Sequence, residues 1–329
     1  MNGLRKLLLC TSVCVLSLPL AAFCQPTTKI HRIGFLSAIS PTGLSLSRVE
    51  AFRQGMKELG YVEGRNIVIE YRWAEGKTER LPQLAADLVR NGVEVIVSAG
   101  PSATRPAKQA TSTVPIVMAF DSDPVASGFV ASYARPGGNV TGLSILAPEV
   151  SGKQVEFLKQ IVPGLSRLMI FSDSKEPGDE RALKETAGAA LALGIQVRKL
   201  DLRDATSVAD MFQAATKEQA GALIVLPSVT YHVERVQIAN LATRHRLPAI
   251  YPWLEHVEAG GLMTYSVKID DLYRRAASYV DKILKGAKPA ELPVEQPYKF
   301  ELLINVKAAR QIGLTIPVNV LMRADRVIE

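Results

Sequence analysis

Beyond its first two dozen residues the chain reads twice, and this internal repeat limits the possible folds more than any single motif does. Arg32-Ile33-Gly34-Phe35-Leu36 leads into a helix-like stretch ending Leu59-Gly60, then Asn66-Ile-Val-Ile-Glu70. Arg167-Leu168-Met169-Ile170-Phe171 leads into a second such stretch ending Leu193-Gly194, then Ile195-Gln-Val-Arg-Lys-Leu200. The parallel continues: Val93–Val97 answers Ala222–Leu226, Val114-Pro-Ile-Val117 answers Leu247-Pro-Ala-Ile250, and Gly138–Ser144 answers Gly260–Ser266. The spacing is steady, with offsets of 134 between positions 60 and 194 and 133 between 115 and 248. Two similar lobes imply a cleft between them.

Each repeat alternates short apolar, β-branched runs with amphipathic segments, the pattern of right-handed βαβ crossovers on a parallel sheet. Val49, Phe52, Met56 and Leu59 recur at helical spacing and predict a helix over 44–59, closed by Gly60. Thr78 is placed as the cap of a second helix with Pro82 in its first turn, and a third helix spans 101–111. The second repeat predicts strands at 167–172, 195–200, 222–226 and 248–252, with helices at 179–193, 206–217 and 231–245. Near residue 268 the pattern changes: Ile269, Leu272, Ala276, Val280 and Ile283 mark one long helix returning to the first lobe. The proline-rich stretch to Pro297 reads as an extended crossover, and the remainder closes on the second lobe. The fold class is therefore α/β: two doubly wound parallel-sheet lobes joined by a multi-strand hinge. Residues 30–147 with 268–287 form lobe one; residues 148–267 with 288–329 form lobe two.

Residues 1–24 read as a signal peptide: Arg5 and Lys6, an apolar run from Leu7 to Leu20, then Ala22-Phe23-Cys24. The run is short for a spanning helix, which needs about 20 residues. Export to the periplasm follows, with a lipid anchor at Cys24 as the alternative. Cys10, Cys14 and Cys24 are the only cysteines, so the chain beyond them has no disulfide, thiol nucleophile or thiolate metal site. Losing Arg5 and Lys6 takes the formal charge from +7 to +5, scattered among acidic residues, which gives no support for nucleic-acid binding.

Catalytic signatures are missing. The chain has no GxxxxGK[ST] loop, no GxGxxG after the first strand and no GxSxG turn, and His31, His232, His245 and His256 are not spaced as metal ligands. No cofactor, metal or catalytic residue is expected. In doubly wound sheets ligands bind beyond the carboxyl ends of the strands. That rule selects Ser37 and Ala38, then Gly100, Pro101, Ser102, Ala103 and Thr104, then Asp121. In the second repeat it selects Ser172, Ser174, Ser228 and, as an aromatic wall, Tyr251, Trp253 and Tyr265; Thr141 joins them from the strand entry. The 98–104 loop stands out, because glycine admits a ligand close to the backbone and a helix start favours an anion. Asp121 could accept from an ammonium or hydroxyl group.

Asp121-Ser-Asp-Pro-Val-Ala-Ser-Gly128, Ala134-Arg-Pro-Gly-Gly-Asn-Val-Thr-Gly142, Lys299-Phe-Glu-Leu-Leu-Ile-Asn305 and the Asn305–Pro317 segment together resemble the ABC-transporter substrate-binding protein family that includes tryptophan- and tyrosine-binding lipoproteins. The resemblance implies a type I periplasmic-binding-protein fold, a small-molecule ligand between the lobes, and an inner-membrane ABC permease as partner of a monomeric protein. Members that bind aromatic amino acids carry an acidic-amide pair where this chain has Ser228-Val229. That departure points away from an amino acid and toward an aromatic or aliphatic carboxylate, which needs less cationic recognition, with an amino-acid-like compound as the alternative. Two rivals come from other classes: an exported α/β enzyme using Asp121 or Asp173 at the same cleft, and a two-lobed repressor, which would need a DNA-reading module where the leader stands.

Overall fold

The computed structural model describes residues 29–42, 45–145, 147–296 and 299–329. The leader, its cysteines and the anchor position Cys24 lie outside them. In the first repeat the order is β1 (His31–Ser37), α1 (Ser45–Glu58), β2 (Ile67–Trp73), α2 (Leu81–Arg90), β3 (Val95–Ala99), α3 (Pro101–Ala110), β4 (Ile116–Phe120) and β5 (Val140–Gly142). These five strands form one parallel sheet in the order β2-β1-β3-β4-β5.

The second repeat follows with α4 (Ala147–Ile161), β6 (Arg167–Ser172), α5 (Asp179–Ala192), β7 (Gln196–Asp201), α6 (Val208–Lys217), β8 (Ala222–Val225), α7 (Val229–Val233), α8 (Arg235–Arg244), β9 (Ala249–Tyr251), α9 (Leu254–Glu258) and β10 (Met263–Val267). After it come α10 (Ile269–Leu284), β11 (Phe300–Asn305), α11 (Val306–Gln311), α12 (Val318–Leu321) and β12 (Arg326–Ile328). The second sheet runs β12-β11-β10-β9-β8-β6-β7, so its five strands from the β7 edge repeat the strand order of the first.

The repeat is carried by matching local chemistry. Both Leu-Gly pairs end a helix in the same way: Gly60 and Gly194 have φ of 89° and 73°, which costs a glycine little. The following N–H then reaches back to the helix, from Tyr61 to Met56 and from Ile195 to Ala190, at 3.0 and 2.9 Å. β3 and β4 are apolar on both faces because helices cover both. Val95, Val97 and Val117 face α1 and α10, whereas Ile96, Ile116 and Met118 face α2 and α3.

The chain passes between lobes three times: after β5, between β10 and α10, and on the way into β11. Ile269, Leu272, Ala276, Val280 and Ile283 of α10 are all buried against lobe one. Several expectations need correction. The second sheet is mixed, since β11 runs antiparallel to β10. The segment assigned to lobe two from residue 288 first packs on lobe one: Val294 joins that core, its N–H bonds Tyr133 O at 2.7 Å, and Leu143 pairs with Glu295. Thr78 starts a 3-10 turn rather than α2. Leu59 is exposed, lying just past α1. The helix expected at 231–245 is broken at Glu234, because Tyr231 is buried with its hydroxyl donating to Ser172 O (2.8 Å) and the chain must turn to bury Ile238.

α1 and α10 approach so closely at Gly55 that an added Cβ would stand 2.5 Å from Arg274 O. Helix propensity alone favours Gly55→Ala by about 1 kcal/mol. We expect the opposite sign, a loss of about 1–3 kcal/mol from the backbone collision, in urea denaturation.

Candidate functional site

The carboxyl ends of strands from both sheets meet at one cavity. On lobe one its wall is made by Ala38 and Ile39 after β1, Ala99 to Ser102 after β3, and Phe120 and Ser122 at the end of β4. On lobe two it is made by Glu176 to Asp179 after β6, Pro227 to Val229 after β8, and Trp253 after β9. The space measures about 690 Å³ counted to its open mouth. It joins a second chamber of about 590 Å³ through shared walls at Ser122, Ile145, Ala182, Pro227 and Trp253. Val150, Val225, Leu226, Pro252 and Val267 make that chamber apolar, with Gln154 and Ser266 at its edge.

Local structure explains each wall. Gly100 sits at φ 89° directly before α3, and a Cβ there would stand 2.9 Å from the Phe120 ring. Glycine thus lets strand, ring and helix start meet at one point. Pro101 opens α3 without an N–H, and the Ala103 N–H turns back to Gly100 O at 3.1 Å. Ser102 is left facing the cleft, and its hydroxyl donates to Glu176 Oε2 of the other lobe at 2.5 Å. Glu176 Oε1 accepts the Val229 N–H at 2.8 Å. Burial pushes the Glu176 carboxyl above its ordinary value, and nearby Asp173 and Asp179 add to the effect. A carboxylate of the protein itself therefore occupies the Ser102 hydroxyl where a ligand carboxylate was expected.

The lobes touch elsewhere across the cleft. Arg48 of α1 is ion-paired with Glu255 of α9, both side chains buried, and Asp123 of lobe one with Arg181 of lobe two. Trp253 and Val267 of lobe two pack into the lobe-one core.

Of the residues selected from sequence, Ala38, Gly100, Pro101, Ser102, Ser228 and Trp253 line the cavity. The others stand apart from it. Ser37 turns its hydroxyl to Ile39 O, and Ser174 is exposed with its N–H on Asp201. Ala103 lies in the lobe-one core, and Thr104 bonds Ser98 and Gly100 internally. Thr141 donates to Leu292 O, and Ser172 is fully buried below the loop. Tyr251 is fully buried, stacked on His256, and Tyr265 packs between Phe157 and Phe300. Asp121 is buried behind Ser122, which takes the place on the wall. The selection missed Arg48, Phe120, Glu176 and Asp179. Glu176 lay only two residues beyond the Ser172–Ser174 loop, inside Lys175-Glu176-Pro177-Gly178, whose proline and glycine signal a turn at a strand end.

Among the described residues no group of three His, Cys, Asp or Glu could hold a metal ion, and none of their helices is long and apolar enough to cross a membrane. Asp173, the catalytic candidate of the enzyme rival, is tied down by the Ser228 hydroxyl at 2.8 Å and the Lys175 N–H at 3.2 Å.

Asp121 Oδ1 accepts the Asp123 N–H at 2.8 Å, Oδ2 meets no hydrogen-bond partner among the described residues, and burial lifts the carboxyl from 3.8 to about 7. The folded protein thus holds a proton that the unfolded chain releases near pH 4. Its stabilising contribution is complete below that pH and is lost as pH rises through 7. Asp121→Asn keeps the Oδ1 acceptor and abolishes the titration. We expect it to match the parent near pH 4 and to exceed it at pH 8 by about 1–4 kcal/mol in urea denaturation, whereas parallel pH profiles would contradict the assignment.

A family model described as ABC transporter substrate binding protein matches residues 32–328. The chain is 27% identical to a Streptococcus pneumoniae ABC domain solved in complex with L-Trp, covering 91% of this chain and 100% of that one with a TM-score of 0.85. A conserved domain protein of Vibrio cholerae matches equally well, at 27% identity, 90% and 99% coverage and a TM-score of 0.85. A tyrosine-binding protein of Clostridioides difficile strain R20291 is 23% identical over 289 residues, 87% of this chain and 82% of that protein. The chain belongs to the ABC transporter substrate-binding protein family.

Proposed function

We propose that this protein is the exported solute-binding component of an ABC importer, capturing a small amino-acid-like molecule between its lobes and passing it to an inner-membrane permease. The observation that carries this reading is the two-chambered cavity itself, built from strand ends of both sheets. A molecule held there touches both lobes at once, so its binding energy favours the closed arrangement that a permease can distinguish from the open one. The apolar chamber beside Trp253 suits a ring or branched chain, and the polar rim at Ser102, Ser122, Ser228 and Glu176 suits a head group. The ligands named for the relatives, tyrosine and L-Trp, have that build. The Arg5-Lys6 leader supports export.

Native mass spectrometry of the protein purified from its host tests the reading. We expect a retained small organic molecule, released unchanged on denaturation. Chemical conversion of that molecule by the protein would favour the enzyme reading instead. Trp253→Phe should weaken the captured ligand by roughly tenfold, since it removes part of a wall shared by both chambers.

A further inference from the structure

The charges on the cavity wall do not balance. Arg48 lines it, but its guanidinium is committed to Glu255 in a pair buried on both sides. Glu176 and Asp179 also line it. Asp179 accepts the Asp173 N–H at 3.0 Å and serves its own loop. Glu176 is different: its two hydrogen bonds come from neutral donors, Ser102 and Val229, and among the described residues it forms no ion pair. The charged groups beside it, Asp173 and Asp179, carry its own sign. A partly buried carboxylate without a countercharge is costly, and a cation placed beside it recovers that cost.

We infer that Glu176 is the specificity-determining residue of this cleft, accepting a hydrogen bond from a cationic nitrogen of the ligand. Each carboxylate oxygen has a second acceptor site, so an ammonium can bind without displacing Ser102 or Val229. Because the Ser102 bond crosses between lobes, a cation bound at Glu176 rests on the closed interface and strengthens it. A carboxylate ligand lacking a basic nitrogen would instead face the like-charged Glu176. This assignment rests on the solute-binding reading and narrows its ligand class.

Matched pairs differing only in the amino group test it by calorimetry on the whole exported chain: L-tryptophan against indole-3-propanoate, L-tyrosine against 3-(4-hydroxyphenyl)propanoate, and L-leucine against 4-methylpentanoate. We expect the amino compound to bind more tightly by roughly tenfold or more wherever a pair binds. Glu176→Gln should erase that preference, while Glu176→Asp should keep part of it. The comparison within the unaltered protein is decisive even if a variant fails to fold. Equal or tighter binding of the des-amino partners overturns the assignment. So does a host-derived ligand without a basic nitrogen when no pair binds, an outcome that leaves the solute-binding reading standing. A host ligand bearing such a nitrogen supports the assignment. Failure of the protein to retain any molecule would count against the solute-binding reading instead.

Discussion

Right-handed crossovers oblige every strand-to-helix loop of a parallel lobe to emerge at one sheet edge. Duplicating the lobe and joining the copies by three chain crossings sets two such edges facing each other. The rest of the structure follows from that constraint. Loops free of sheet hydrogen bonding line the cleft, and their serines, glycines and prolines are the residues that such loop ends tolerate.

The lobes are held together by contacts of unequal kinds. The Arg48–Glu255 pair is buried on both sides, and losing either partner would strand the other charge. The Asp123–Arg181 pair has one exposed partner, so its contribution is smaller and weakens with salt. The Ser102–Glu176 hydrogen bond lies at the cavity wall, where a ligand can add to it. The apolar support comes from Trp253 and Val267, which fill the lobe-one core from the lobe-two side. Arg48 also belongs to the cavity wall, so one side chain joins the interlobe interface to the site.

The repeat made the architecture readable, since Leu59-Gly60 and Leu193-Gly194 mark equivalent helix ends and the β-branched runs mark equivalent strands. The strand-end rule reached all six loops that border the cleft, or the positions beside them. It could not tell which side chain in a loop faces inward. Tyr251 and Trp253 differ by two positions, yet Tyr251 is still in β9 and turns into its own core while Trp253 has left the strand. Thr104 looked like a donor but is consumed by Ser98 and Gly100. The turn holding Glu176 was legible from Pro177-Gly178, but its contact with Ser102, 74 residues away in the other lobe, was not. The antiparallel turn into β11 was equally hidden, as a strand's direction leaves no trace in its alternation.

The central claim is that the lobes close on a ligand gripped at the strand ends. With Cys10, Cys14 and Cys24 replaced by serine, cysteines at Lys77 of lobe one and Lys175 of lobe two would carry the only spin labels on the chain. Pulsed electron resonance then reads the distance between lobes with and without the host-derived ligand. The account predicts a broad distribution that narrows and shifts to shorter distance on saturation. Saturating binding with an unchanged distribution would contradict it.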